Sequence, residues 1–117
     1  MSIDRQVLLE AIQDLTRARS EADRDAAAER AEALAPHAQI SDLVFWGERD
    51  RTNEEIADEV ILRERIWSED GEIAMRNHME ARMREALADT TKPDTHYTKI
   101  AARVTLRSIA RTYGQHG

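Results

Sequence analysis

The side chains able to do chemistry in this sequence are 23 aspartates and glutamates, four histidines and a basic stripe near its end. His37, His78, His96 and His116 are scattered over separate stretches, and no two stand at metal-ligand spacing. His78 and Glu80 form an H-x-E string, which in zinc deaminases requires a later pair of cysteine ligands. The chain has no cysteine. That absence also removes disulfides, zinc ribbons and thiol catalysis. Glycine-rich phosphate loops and serine-nucleophile motifs are missing as well. The carboxylates have the spacing of solvated helix faces with cations nearby, for example Glu59 and Arg63 at i and i+4. These residue types point away from an enzyme, and no catalytic residue, metal site or cofactor is expected.

Charge and aromatic placement point to binding instead. The net charge is -6, unevenly divided: residues 1–67 carry 9 Arg against 16 Asp and Glu, and residues 68–117 carry 8 Lys and Arg against 7. The acidic first part repels phosphates and favours a basic partner. Lys99, Arg103, Arg107 and Arg111 recur every four residues in a stretch, 98–117, without an acid. Such a stripe could track a phosphate backbone. It also fits a solvated face, or a dock onto the acidic first half, and the acidic balance of the whole chain favours these. Phe45 and Trp46 are two of only five aromatic residues. Adjacent positions on a helix point about 100° apart, so one thin core does not readily bury both. They read either as a core residue with a helix-end cover or as a protruding binding anchor beside acids.

The elements that must position these residues are helices. Only four glycines and two prolines punctuate 117 residues, and β-branched alternation is nearly absent. Of the 48 hydrophobic residues 18 are alanine, which leaves a thin core. Ile3, Val7, Leu8, Ala11, Ile12 and Leu15 form a first helical stripe. Ser20 with Asp23 caps a second, alanine-rich helix that should end at Pro36. The stretch 41–47 suits one short turn. Thr52 with Glu55 caps a helix facing inward through Ile56, Ala57, Val60, Ile61 and Trp67, and Gly71 breaks it. Met75, Met79, Met83 and Leu87 make a ridge on the next helix, for a core or the main body, with a peptide groove or self-association surface as lesser readings. Residues 89–95 form a loop, and a last helix from about Thr98 to Tyr113 carries Ile100, Val104, Leu106 and Ile109. No apolar run approaches the roughly 20 residues of a membrane helix, and residues 1–5 lack a signal-peptide pattern. The expectation is a soluble, cytoplasmic protein with no membrane partner.

The run His37-Ala38-Gln39-Ile40-Ser41-Asp42-Leu43-Val44-Phe45-Trp46, followed by an acidic loop and the helix bearing Glu55, Ile56 and Val60, resembles the signature of the colicin and pyocin immunity proteins. The resemblance covers about residues 3–67, with residues 37–60 as its specific part. It implies an all-α fold with a four-helix core over 1–67, whose third helix is very short. Residues 68–117 have no counterpart in the family and would add two helices packed on that core. The resemblance further implies a cognate bacterial toxin as partner, a basic HNH-type nuclease domain bound at an exosite that blocks DNA. Asp42 would accept hydrogen bonds from the toxin, Phe45 and Trp46 would replace the family's two tyrosines, and Ser41 sits beside them. Arg24, Asp25, Ala28, Glu29 and Glu32 would stand at the partner-selecting positions of the second helix. Phenylalanine and tryptophan lack the tyrosine hydroxyls, and Gly47 replaces the family's proline. A monomer before toxin binding is expected. The rival reading is a small helical regulator or antitoxin that binds DNA through the basic C-terminal helix. A third is a subunit that dimerises through the methionine ridge.

Overall fold

The structure is a computed structural model and describes residues 3–40, 43–44 and 51–113. Within them are five helices and no strand: α1 (Arg5–Arg17), α2 (Glu21–Leu34), α3 (Asn53–Asp70), α4 (Glu72–Ala88) and α5 (Tyr97–Tyr113). Local chemistry sets most of their ends. The Asp4 carboxylate accepts from the N–H groups of Gln6 and Val7 at the start of α1. Ser20 Oγ accepts from Asp23 N–H at 3.1 Å, as its spacing predicts. Thr52 and Glu55 close a reciprocal capping box on α3. α2 stops at Leu34, two residues before Pro36. α3 and α4 meet at Gly71, whose φ of 91° and ψ of -177° lie in a region open essentially to glycine alone.

The helices touch in series: α1 on α2, α1 on α3, α3 on α4 and α4 on α5. One hydrophobic cluster holds the first three together. It contains Leu8, Ile12 and Leu15 of α1, Ala27 and Ala31 of α2, Ile40, Leu43 and Val44 after it, and Ile56 and Val60 of α3. Every buried member lies between residues 8 and 60. The alanines of α2 let it approach α1 closely, at the cost of a small apolar contact. Val7, expected in the stripe of α1, is instead exposed.

α4 and α5 pack on each other outside this cluster. Met75 and Met83 are buried, consistent with a ridge that packs on neighbouring helices. The register of α5 differs from expectation. Its buried residues are Thr98, Lys99, Ala101 and Ala102, while Ile100 and Val104 are 46% and 54% exposed. Small side chains permit close contact along α5, Ile100 and Val104 turn outward, and Leu106 and Ile109 are half-buried. Lys99 therefore does not belong to a solvated basic face: its stem is buried and its ammonium emerges 3.6 Å from Asp94. No helix among the described residues is long and apolar enough to cross a membrane.

Candidate functional site

The positions named on α2 form one face. Helical spacing places Arg24, Asp25, Ala28, Glu29 and Glu32 on adjoining turns. Arg24, Asp25, Glu29 and Glu32 are exposed, and Ala28 is half-buried against the core. The surface of α2 is acidic because its only deeply buried residues are Ala27 and Ala31. Every charged side chain on it is thus exposed, while Leu34 packs against the core. Arg30 turns back toward α1 and pairs with Asp14 at 3.1 Å.

Ser41, Asp42, Phe45 and Trp46 lie outside the described residues. Ile40, Leu43 and Val44 are buried in the main cluster. The approach from α2 is held by α3: the Glu64 carboxylate accepts the His37 backbone N–H and stands 3.1 Å from His37 Nδ1. The His37 ring stacks on Trp67 with centroids 4.1 Å apart and planes at 10°. Gln39 has a φ of 60°, a left-handed conformation uncommon outside glycine, asparagine and aspartate.

The main polar cluster lies where the sequence spacing predicts a solvated helix face. Glu59 and Arg63 are not on a solvated face: their side chains are 3% and 1% exposed. Arg63 Nε donates to Glu59 Oε2 at 2.9 Å, and its Nη1 donates to the Ala38 carbonyl at 3.1 Å. From α4, His78 Nε2 donates to the same Glu59 oxygen at 2.6 Å and Arg82 Nε donates to the other at 3.0 Å. A carboxylate only accepts, so the proton on Nε2 is fixed by the partner. Burial pushes the Glu59 carboxyl up, but the His78 hydrogen bond and the adjoining Arg63 and His78 charges outweigh it. The net result is a carboxyl held below its ordinary range.

This cluster joins α3 to α4 and also reaches the turn that follows α2. Its signal was present in the pattern, since Glu59 and Arg63 share the register of Ile56 and Val60. Among the described residues no group of three or more His, Asp or Glu could hold a metal ion. A shallow groove where α1 meets α2 is lined by Asp14, Arg17, Arg19, Asp23 and Arg30, with charges of both signs.

Comparison with protein-family models, curated proteins and solved structures finds no match.

Proposed function

We propose that this chain is a toxin-neutralising protein of the bacteriocin immunity type, binding a basic nuclease domain beside its active site and excluding DNA. In this reading α1, α2, the short stretch around 41–46 and α3 make up the four-helix core, and α4 and α5 are an addition. The observation that carries it is the outward acidic face of α2, where the alanine contact with α1 leaves Asp25, Glu29 and Glu32 exposed. Asp25, Glu29 and Glu32 would steer a cationic domain toward the surface. Ser41, Asp42, Phe45 and Trp46 would supply the anchor, next in sequence to residues that α3 fastens through Glu64, Trp67 and Arg63. The cytoplasm of the producing cell is where such a protein would act.

The test is affinity capture from a lysate of the native organism with three baits: wild type, Trp46→Ala, and Asp25→Lys with Glu29→Lys. A basic nuclease held by the wild type and inhibited by it, but lost from both variants, supports the reading. Trp46→Ala should weaken binding by about 2 kcal/mol or more, as for a central aromatic anchor. Equal retention of the nuclease by all three baits refutes it.

A further inference from the structure

We propose that the outward face of α5 is a docking surface for an acidic amphipathic helix of a partner protein. At 3.6 residues per turn, Tyr97, Ile100, Val104, Arg107 and Arg111 fall in one stripe about 100° wide. All of those with a described side chain are exposed. The stripe is apolar at its N-terminal end and cationic at its C-terminal end. Among the described residues neither Arg107 nor Arg111 has an ion-pair partner, and the chain has no acid after Asp94.

Arg103 is committed elsewhere, donating to the Asp94 carbonyl at 2.7 Å, and Lys99 is buried. The cations left on this face are therefore two, one turn apart, and they continue an aliphatic patch. That composition suits carboxylates one turn apart on a facing helix, which arginine pairs with bidentately, followed by aliphatic side chains over Ile100 and Val104. It suits nucleic acid poorly, because the middle of the stripe offers phosphates only hydrocarbon.

The surface lies beyond the toxin reading and does not rest on it. A face that takes a basic nuclease must be acidic, and this one is basic, so the two select different partners.

The experiment uses the full chain and a fluorescein-labelled synthetic peptide of about 18 residues, with Leu at helical spacing and Glu elsewhere. Anisotropy should give a dissociation constant in the tens of micromolar, as for a small interface, weakening as salt rises. Ile100→Ser with Val104→Ser, and separately Arg107→Glu with Arg111→Glu, should each raise that constant at least tenfold with thermal unfolding unchanged. A control peptide with Lys in place of Glu should not bind. Absence of binding at about 200 μM, far above the expected constant, overturns the proposal. So does binding that neither variant disturbs. Tighter binding to a short DNA duplex, lost only in the arginine variant, would make the face a nucleic-acid surface. Sedimentation showing a dimer abolished by the Ile100 and Val104 changes would make it a self-association surface, and either result displaces the acidic helix.

Discussion

Replacing Glu59 by glutamine removes the buried carboxylate at the joint between α3 and α4 while keeping the side chain's size. Three cationic or donor groups converge on it at 2.6–3.0 Å: Arg63 from its own helix, and His78 and Arg82 from α4. Arg63 suffers most, because its guanidinium is 1% exposed and cannot turn to water. Removing one partner of a buried ion pair costs about 3–5 kcal/mol. Coulomb's law gives a similar size, about 4 kcal/mol for unit charges 4 Å apart at an effective dielectric of 20. The amide can still accept one hydrogen bond, which places the expectation near 3 kcal/mol. That is a large part of a total stability of about 5–15 kcal/mol.

Urea unfolding followed by circular dichroism reads this directly. With a slope of about 1–3 kcal/mol/M the midpoint falls by about 1–3 M. Arg63→Met should cost less than Glu59→Gln, since Glu59 keeps His78 and Arg82 as partners. Combining Glu59→Leu with Arg63→Met should recover stability relative to Glu59→Gln, because the buried Arg63 guanidinium is then no longer stranded. The reasoning fails if Glu59→Gln costs under about 1 kcal/mol, or if Glu59→Leu and Arg63→Met add as independent changes.

The same carboxylate sets a pH dependence. Its folded value is depressed, so its contribution is present above the unfolded value of about 4.3 and is lost as pH falls through the folded one. The stability gap between wild type and Glu59→Gln should accordingly close as pH drops below about 4.3; a gap unchanged under acid would contradict this. Gly71→Ala meets no atom within 4 Å yet must adopt a φ of 91°, and thermal melts should show a loss of about 1–3 kcal/mol. Ala31→Leu inserts bulk at a fully buried α1–α2 contact and should cost about 1–3 kcal/mol in urea.

Sequence alone determined the helical class and most helix ends. Ser20 with Asp23, Thr52 with Glu55, Pro36 and Gly71 act through neighbours within about one turn, so their effect is written in adjacent letters. It also determined the acidic character of α2, because a helix whose deeply buried residues are alanines leaves its charges outside. Depth is another matter. Glu59 and Arg63 carry the same i,i+4 signature whether solvated or buried, and only the arrival of α4, with His78 and Arg82, decides between the two. The facing of α5 is decided in the same way. Its aliphatic residues fall on both sides, and close contact along the helix selects the side of Thr98, Ala101 and Ala102 for the interior, with Leu106 and Ile109 half-buried, and leaves Ile100 and Val104 to water. Hydrophobicity is a property of each residue, whereas burial depends on which surfaces meet and how closely they can approach.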